Sequence, residues 1–427
     1  MSLNEITWKD LSRYRGELMG AAIVFIVLFH MDLPRSDAFF GLRRCGNIGV
    51  DMFLFLSGIG LWFSWLKNPS VKQFYKRRLL RIFPAWLMKG LREDLVRIVH
   101  GNLAEYTSVL FCGSGTICMD VCLNSLLPEG KKILVVNNGA YSARAVQICE
   151  YYGLAHVDLR FPINEAPDLS VVEKALRDDP DVALVYTTHN ETGTGLLNPI
   201  RKIGALAHRY GAIFVADTTS SYAMIPIDLQ KDNVDFCMAS AQKGIGATTG
   251  LSFVVGKIGE IEKSKDYPRR SYYCNLYRQY DYFEKTGEMN FTPPVQTVYA
   301  TLQALKEYFA EGETAKWARH TRVFNAILRG LDKLGFREYI KRDLQSGLVA
   351  AALYPDDPNW DFIAIHDYCY ERGFTIYPGK VEKRGMFRLC ALGAIDQADV
   401  EAFFKIFEEA LRVHRVTIPV LYKETEK

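Results

Sequence analysis

Short runs of β-forming residues alternate with amphipathic helical stretches along most of this chain, from about residue 91 onwards. Stretches such as SVVEKALRDD (170–179) and IRKIGALAHRYG (200–211) separate the runs. Strand–helix alternation of this kind favours a mostly parallel sheet with helices on its faces. We therefore expect an α/β fold built on these strands: KKILVVNNG (131–139), DVALVYTTHN (181–190), GAIFVADTTSS (211–221) and GLSFVVG (250–256).

A second, smaller set of strands follows a proline pair. The stretch NFTPPVQTVYATLQALKEYFAE (290–311) places both prolines at the start of a long predicted helix. A smaller C-terminal α/β domain is predicted after it, with the strands GLVAAALY (347–354), GFTIYPGK (373–380) and MFRLCAL (386–392). We expect three segments in total: a hydrophobic helical segment (1–89), a large domain (90–295) and a small domain (296–427).

Residues 1–89 differ from the rest of the chain in being apolar, aromatic and basic. Two apolar runs, 18–31 and 48–65, approach the length of roughly 20 residues that a membrane-spanning helix needs. The basic cluster KQFYKRRLLR (72–81) favours the cytoplasmic side. We expect a hydrophobic helical hairpin that anchors a cytoplasmic catalytic domain to the inner face of the membrane. A buried helix pair in a soluble protein is the alternative.

This segment resembles the start of the membrane acyltransferase family 3 proteins, through LMGAAIVFIVLFH, GVDMFLFLSGIGLW and FYKRRLLRIFPAW. In that family, a basic residue early in the first helix works with the histidine that ends it. The histidine corresponds to His30, but Met19 occupies the basic position. The family also has many more membrane helices than the two apolar runs present here. We therefore expect a truncated segment that anchors the chain and does not transfer acyl groups.

The composition is that of a globular enzyme, with 49% hydrophobic and 24% charged residues. The net charge of +3 is too small to argue for nucleic-acid binding. Nine cysteines occur without paired metal-ligand spacing, and Cys118 and Cys122 lie beside an apolar run. We therefore expect free thiols, a reducing compartment and no metal site.

Two ionisable residues follow predicted strands, which is where parallel sheets bind ligands. Lys243 lies in SAQKGIGATTG and has no charged neighbour for several residues on either side. A desolvated lysine without a carboxylate has a lowered pKa and suits a Schiff base; a helix-capping or surface lysine is the alternative. Asp217 ends AIFVAD, and a buried carboxylate there needs a partner such as a pyridinium nitrogen. Capping of the next element is the alternative for Asp217.

An anion site is predicted at CGSGTICMDVCLNSLL (112–127), where a glycine-serine-threonine turn leads into an apolar helix. Backbone amides and the hydroxyls of Ser114 and Thr116 at a helix N-terminus favour a phosphate, although such turns also simply cap helices. Tyr141, in NNGAYSAR, follows a strand and is placed either to stack on a flat ring or to pack in the core.

The order of these features resembles that of the class V, fold-type I pyridoxal-phosphate aminotransferases. In chain order they are the phosphate turn, the aromatic residue, HNETGTG (189–195), Asp217, Lys243, FTPPVQ and MFRLCALG with Arg388. Within that family, residues 91–413 most resemble the 2-aminoethylphosphonate–pyruvate transaminases, through NGAYSAR, HNETGTGLLNPI, DTTSSYAMIPIDL and GFTIYPGK…FRLCALG. The resemblance implies a mostly parallel sheet of the seven-stranded type, bound pyridoxal 5'-phosphate and a homodimer.

The resemblance also implies roles for individual residues. Lys243 would form the Schiff base with pyridoxal phosphate, and Asp217 would pair with its pyridine nitrogen. Tyr141 would stack on the ring, Thr192 would lie near the phenolic oxygen, and Arg388 would bind the substrate carboxylate. The cofactor phosphate would be held by Ser114, Gly115 and Thr116, joined by Thr292 of the partner subunit.

The reaction implied is transfer of the amino group of 2-aminoethylphosphonate to pyruvate, giving phosphonoacetaldehyde and alanine. Members of the family begin with a segment that lines the active-site mouth, whereas family-like sequence begins here near residue 91, so we expect impaired activity. The alternatives are another class V activity, such as an alanine–glyoxylate transaminase or a sulfur-mobilising lyase, and a non-catalytic membrane-tethered fusion. A lyase would need a reactive cysteine, and Cys390, on an apolar strand, is expected to pack instead.

Overall fold

The computed structural model describes residues 7–30, 48–67, 70, 84–379 and 385–423. The chain forms two compact units, Met1–Pro84 and Ala85–Lys427. The division into three segments that the sequence suggests, with boundaries after residues 89 and 295, stays a prediction.

The described residues of the two apolar runs, 18–30 and 48–65, lie on helices of the first unit, whose described helices are α1 (Trp8–Arg13), α2 (Arg15–His30) and α3 (Ile48–Lys67); residue 31 and the basic cluster 72–81 lie outside the described residues. Thr7 begins α1 with a reciprocal cap: its hydroxyl accepts from the Asp10 amide, and its own amide donates to the Asp10 carboxylate. Helices α2 and α3 approach closely at Gly49, where a Cβ would lie 2.5 Å from the Ala22 carbonyl oxygen. Among the described helices, none has both the length and the apolar character needed to cross a membrane, so the expected membrane-spanning hairpin is not found there.

The strands of the second unit are apolar runs of the sequence that end at polar residues. Those among the described residues are β1 (Tyr106–Cys112), β2 (Lys132–Asn137), β3 (His156–Arg160), β4 (Val182–Thr188), β5 (Asn190–Glu191), β6 (Leu196–Leu197), β7 (Ile213–Asp217), β8 (Phe236–Ser240), β9 (Leu251–Lys257), β10 (Val349–Leu353), β11 (Tyr377–Pro378) and β12 (Met386–Cys390). The four runs predicted for the large domain are therefore confirmed as β2, β4, β7 and β9.

Seven of these strands form one sheet in the order β1-β9-β8-β7-β4-β2-β3. Strand β9 is antiparallel to both of its neighbours, and every other adjacent pair is parallel. The mostly parallel seven-stranded sheet is confirmed. Because β4 and β7 are parallel neighbours in register, the residues that follow them meet at one edge of the sheet.

Helices cover both faces of this sheet. The described helices of the second unit begin with α4 (Pro84–Ile98), which reaches back to the boundary of the first unit, and continue with α5 (Gly115–Ser125), α6 (Ala140–Tyr152), α7 (Leu169–Asp178), α8 (Ile200–Arg209), α9 (Ile258–Lys263), α10 (Leu276–Thr286), α11 (Val295–Glu311), α12 (Glu313–Leu334), α13 (Phe362–Tyr370) and α14 (Gln397–Val413). In β2, Ile133 and Val135 belong to one buried cluster, and Leu134 and Val136 to another. Burial on both faces explains why β2 reads as a continuous apolar run.

The smaller sheet has the order β10-β12-β11, with both pairs antiparallel. It confirms the strands predicted near the C-terminus. Phe387 of β12 packs against Phe336 and against Phe407 of α14, with ring centroids 5.2 and 5.6 Å apart. This packing leaves the alternate residue Arg388 on the other face of β12.

Candidate active site

The carboxylate of Asp217 lies at the end of β7, in register with Thr188 of β4. The residue is 3% exposed; Tyr186 donates its hydroxyl to Oδ2 over 3.2 Å, and the Thr219 amide donates to Oδ1 over 2.9 Å. Burial raises the pKa of the Asp217 carboxyl, and none of the described lysines or arginines forms an ion pair with it. A buried carboxylate without a cation is what a protonated pyridine nitrogen would complete.

His189 follows β4 and supports this strand end without supplying a charge. Its amide donates to the Asp217 carbonyl oxygen over 2.8 Å, and Nδ1 lies 3.0 Å from the Ser221 hydroxyl. Burial lowers the pKa of the His189 imidazole to about 4, so the ring is neutral at neutral pH. The imidazole therefore adds no positive charge beside Asp217.

The predicted phosphate turn forms an open cradle at the start of α5. Ser114 occupies the N-cap position, yet its hydroxyl makes no capping hydrogen bond. A Cβ on Gly115 would lie 2.9 Å from Cγ2 of Thr219 and 3.5 Å from Oγ of Ser240. Ser240 is 1% exposed, and its hydroxyl has no hydrogen-bond partner among the described residues. Free hydroxyls and helix N-terminal amides converging on a glycine fit a phosphate group.

Arg144 joins this turn to the aromatic residue that the sequence singled out. Its Nη1 donates to Oγ1 of Thr116 over 3.1 Å, and its guanidinium carbon lies 5.1 Å from the centre of the Tyr141 ring. Tyr141 stands in the first turn of α6. Sequence reasoning missed Arg144, although it belongs to NGAYSAR, because nothing local shows that its side chain reaches a different helix.

Glu191 holds the N-terminus of α6 and was also missed. Its fully buried carboxylate accepts from the Tyr141 amide over 3.3 Å, and from the Ser142 amide and hydroxyl over 2.9 and 2.8 Å. Burial raises the pKa of the Glu191 carboxyl, which these hydrogen bonds oppose. A Cβ on Gly139 would lie 2.3 Å from Cδ of Glu191, so the glycine makes room for this carboxylate. The signal available in the sequence was the glutamate of HNETGTG, because an acidic side chain is stabilised near the N-terminus of a helix.

Lys243 lies in the turn after β8, and here the sequence-based expectation of a desolvated amine is wrong. The side chain is exposed, and no described carboxylate pairs with its ammonium. The main chain is fixed instead: the Lys243 amide donates to Ser240 over 3.3 Å, and a Cβ on Gly244 would lie 2.0 Å from the Tyr222 carbonyl oxygen. Because Gly244 packs against Tyr222, the lysine projects outwards, three residues from the free hydroxyl of Ser240.

Arg388 lies in the middle of β12 and contacts the hairpin made by β5 and β6. Its Nη1 donates to the Thr192 carbonyl oxygen over 2.8 Å, while its buried Nε has no hydrogen-bond partner among the described residues. Cys390 lies two residues further along the strand. It is exposed, whereas the sequence-based prediction was a cysteine packed in the core. Burial raises the pKa of the Cys390 thiol, and the positive charges of Arg388 and Lys243 oppose this rise.

Thr292 is exposed in the segment before α11. No hydrogen bond in the described part of the chain joins it to the turn at Ser114 or to Lys243. The structure thus brings together the phosphate turn, Tyr141, Asp217, Thr192 and Arg388, and leaves Thr292 outside. Its predicted role in the partner subunit's site stays a prediction.

Comparisons with known proteins point in the same direction. The family described as aminotransferase class-V matches residues 86–355, and an acyltransferase domain family matches residues 20–96. A 2-aminoethylphosphonate–pyruvate transaminase of Cupriavidus necator is 34% identical over 344 residues, covering 79% of this chain and 91% of the relative. A bifunctional phosphonoacetaldehyde hydrolase/aminoethylphosphonate transaminase of Clostridioides difficile is 35% identical over 76% of this chain, which spans 51% of that protein. The solved alanine–glyoxylate aminotransferase of Nostoc sp. has a TM-score of 0.71 at 23% identity, covering 77% of this chain and 87% of that one.

Proposed function

Since the chain belongs to the class V aminotransferases, we propose that it transfers the amino group of 2-aminoethylphosphonate to pyruvate, giving phosphonoacetaldehyde and alanine. The observation that carries this proposal is the buried carboxylate of Asp217, which lacks a cation beside a turn suited to phosphate. Pyridoxal phosphate supplies both missing groups and, when bound, an electron sink for the substrate. The substrate pair is taken from the names of the relatives.

The chain's own residues hold the cofactor at three points. Asp217 would keep the pyridine nitrogen protonated, and Tyr141, whose ring contacts Arg144, would stack on the cofactor ring. The turn at Ser114–Thr116 would bind the phosphate, and Ser240 would donate its hydroxyl, which has no hydrogen-bond partner in the described part of the chain. The contact of Ser240 would satisfy a buried hydroxyl that has no hydrogen-bond partner among the described residues.

Lys243 and Arg388 act on the substrate. The Lys243 amine would hold the cofactor, and its Nζ would also accept and return the proton of the substrate carbon. Arg388 would bind the carboxylate of pyruvate, because Thr192 orients its guanidinium and its buried Nε has no hydrogen-bond acceptor in the described part of the chain. These residue roles are part of the proposal.

The enzyme test uses the purified full chain with pyridoxal phosphate, 2-aminoethylphosphonate and pyruvate. We expect visible absorption from the bound cofactor, and alanine that appears together with phosphonoacetaldehyde. Lys243→Ala should abolish covalent attachment, measured by borohydride reduction and peptide mass spectrometry, while Lys306→Met, an exposed lysine on α11, should not. Absence of cofactor binding in the unmodified chain would rule out the enzyme, and attachment that survives Lys243→Ala would rule out the role of that lysine.

One observation favours a second candidate, a sulfur-mobilising lyase. Such an enzyme needs a reactive thiol at the site, and Cys390 is exposed; burial of its sulfur raises the pKa of the thiol, and the charges of Arg388 and Lys243 oppose that rise. With cysteine as substrate and no pyruvate, the Cys390 thiol would take the substrate sulfur as a persulfide and alanine would be released; an added thiol reductant would then free the sulfur as sulfide, and Cys390→Ser would abolish sulfide release. Amine transfer that persists in Cys390→Ser, without sulfide from the unmodified chain, favours the transaminase.

A homodimer forms part of the proposal, with Thr292 serving the partner subunit. Its exposure supports this, as does the neighbouring aromatic surface, in which Tyr273 stacks on Phe291 at 4.5 Å and Tyr272 is 68% exposed. Mixing Lys243→Ala with Thr292→Val subunits tests the arrangement. Hybrid dimers should regain activity, because one of their sites combines an intact Lys243 with an intact Thr292. No recovery would place Thr292 in its own subunit's site or outside the site.

Membrane association is proposed for the first unit, at the cytoplasmic face. Large apolar side chains of α2 and α3 are exposed, including Val24 (58%), Leu54 (65%) and Trp62 (61%). Transfer of such side chains from water into a lipid surface lowers the free energy. The full chain should sediment with anionic phospholipid vesicles, and Val24→Asp combined with Leu54→Asp should remain in the supernatant; equal sedimentation of both proteins would contradict the proposal.

A further inference from the structure

Lys243 and Arg388 belong to different sheets, yet they must act on one substrate molecule. Lys243 follows β8 of the seven-stranded sheet, and Arg388 lies in β12 of the three-stranded sheet. A displacement of about 1 Å between groups that share a substrate can cost a hundredfold in rate. Something in the fold must therefore fix the separation of the amine and the guanidinium. Helix α12 contacts the main chain beside both.

Lys316 of α12 reaches the turn that carries Lys243. Its residue is 8% exposed, and Nζ donates to the Gly244 carbonyl oxygen over 2.5 Å. The Tyr308 ring centre lies 5.0 Å from Nζ, and no described carboxylate forms an ion pair with it. Burial lowers the pKa of the Lys316 ammonium to about 8. An amine held in such surroundings is costly, and the one hydrogen bond that Nζ makes within the described residues falls on the residue after Lys243.

On its other side, the turn that carries Lys243 packs closely against Tyr222 and Met224. A Cβ on Gly244 would lie 2.0 Å from the Tyr222 carbonyl oxygen and 2.5 Å from Cγ of Met224. Gly244 is therefore held between Tyr222 and Lys316. The main chain at this point has little freedom to move towards or away from the site.

His320 lies one helical turn after Lys316, on the same face of α12, and reaches the end of β12. Its Nδ1 donates to the Ala391 carbonyl oxygen over 2.7 Å, and the residue is 1% exposed. Since a carbonyl only accepts, the hydrogen is on Nδ1; Nε2 is buried and has no hydrogen-bond partner among the described residues. Ala391 directly follows Cys390, the last residue of the strand that carries Arg388.

Arg319 strengthens the same contact. Its Nη1 donates to the Gly393 carbonyl oxygen over 3.1 Å, and its guanidinium binds Glu311 through two hydrogen bonds of 2.7 and 3.1 Å. The first turns of α12 thus hold the chain just beyond β12 at two carbonyl groups.

We propose that Lys316 and His320 are positioning residues, which hold the main chain beside Lys243 and beside the Arg388 strand from one face of α12 and so set the separation of amine and guanidinium. The inference rests on the proposed function, because it assigns Lys243 and Arg388 to one substrate. Lys316 acts on the side of the amine, so its loss affects proton transfer and mainly lowers kcat. His320 acts on the side of the guanidinium, so its loss affects carboxylate binding and mainly raises KM for pyruvate.

The experiment compares the full-length protein with Lys316→Met, His320→Leu and His320→Asn, whose amide can replace the Nδ1 donor. Lys306→Met is the control, because Lys306 is exposed on α11. Hydrogen exchange is measured by mass spectrometry on peptides covering 241–247 and 388–393. Steady-state kinetics with 2-aminoethylphosphonate and pyruvate follow on the same preparations, with the melting temperature as a measure of general damage.

The expected pattern is local and divided between the two residues. Lys316→Met should accelerate exchange in 241–247 and lower kcat about tenfold or more, with KM for pyruvate within about twofold of the original. His320→Leu should accelerate exchange in 388–393 and raise KM for pyruvate about tenfold. In His320→Asn, KM for pyruvate should lie close to the original value. Lys306→Met should change neither peptide.

Uniform acceleration of exchange across the chain, or identical kinetic changes in both variants, would overturn the proposal, because either result indicates loss of general stability only. Should Lys316→Met fail to fold, Lys316→Gln, which keeps a shorter donor, gives the same two readouts. Exchange needs no turnover, so a full-length protein that lacks transaminase activity would contradict the proposed function and still leave the positioning inference to be decided by the two peptides.

Discussion

Nη1 of Arg388 donates to the main-chain carbonyl oxygen of Thr192 over 2.8 Å, which ties the three-stranded sheet directly to the turn after β5. The same guanidinium keeps a buried Nε without a hydrogen-bond partner in the described part of the chain. One edge of the guanidinium is therefore anchored, and the buried Nε lacks the acceptor that an anionic group would supply. This is the arrangement that bidentate recognition of a carboxylate requires.

Replacing Arg388 by lysine should separate these two tasks, because an ammonium cannot hold the Thr192 carbonyl and present a planar pair of donors together. We expect KM for pyruvate to rise about ten- to a hundredfold, with a smaller change in kcat. Initial-rate kinetics at varied pyruvate measure this effect. Arg329→Lys, at an exposed position on α12, is the control and should leave KM unchanged. An unchanged KM in Arg388→Lys would remove this residue from substrate binding.

Asp217→Asn should stabilise the cofactor-free protein while it weakens cofactor binding. Burial raises the pKa of Asp217, so the folded state keeps its proton to a higher pH than the unfolded state does. The free energy of unfolding therefore falls as pH rises from about 4 through the raised pKa, and the cost is complete above it. Asparagine avoids this cost, so urea denaturation at pH 7 should show a gain of about 1–3 kcal/mol that shrinks towards pH 4.

Asp235→Asn is the matched comparison for that experiment, because this carboxylate is equally buried and is paired. It accepts from Nε2 of His208 over 2.7 Å and from Nζ of Lys257 over 2.6 Å. Burial raises its pKa, but these hydrogen bonds outweigh burial and lower the pKa overall. The substitution should destabilise the protein at pH 7, the opposite sign to Asp217→Asn. Destabilisation of similar size by both would contradict the account of Asp217 as an unpaired site carboxylate.

Ser240→Ala should weaken binding of the cofactor phosphate without destabilising the fold. The hydroxyl is buried and has no described partner, so its removal relieves a polar group that folding leaves unsatisfied. We expect the Kd for pyridoxal phosphate to rise about tenfold and the Kd for pyridoxal, which lacks the phosphate, to stay constant. Absorbance titration of the apoprotein with both compounds measures this. Equal weakening for the two compounds would place Ser240 away from the phosphate.

Gly139→Ala should destabilise the protein by about 2–4 kcal/mol through overpacking against Glu191. The backbone of Gly139 is extended, so the cost is steric: a Cβ would lie 2.3 Å from Cδ of Glu191. The carboxylate cannot move aside without losing its hydrogen bonds to Tyr141 and Ser142. Denaturant unfolding measures the loss. Gly259→Ala on α9, where no atom lies within 4 Å of a new Cβ, should be close to neutral.

More of the fold than of the candidate site could be predicted from the sequence. Strands β2, β4 and β7 could be predicted because burial on both faces makes each a continuous apolar run between polar residues. Strand β3 was not singled out: it lies at the sheet edge with residues of intermediate burial, so its pattern is weaker. The prediction that Lys243 is desolvated was wrong, because the spacing of charged residues along the chain does not show in which direction a turn presents its side chain.

Sequence alone determined the residue types at the strand ends, since Asp217 and the glycine turn at Gly115 are encoded by patterns within a few residues. Only the tertiary structure decided their partners. Arg144 reaches Thr116, Glu191 reaches the start of α6, and Lys316 reaches Gly244 across 72 residues of chain. The reason is physical: periodicity records which face of an element is buried, whereas the neighbour that it meets depends on sheet order and on where distant helices pack.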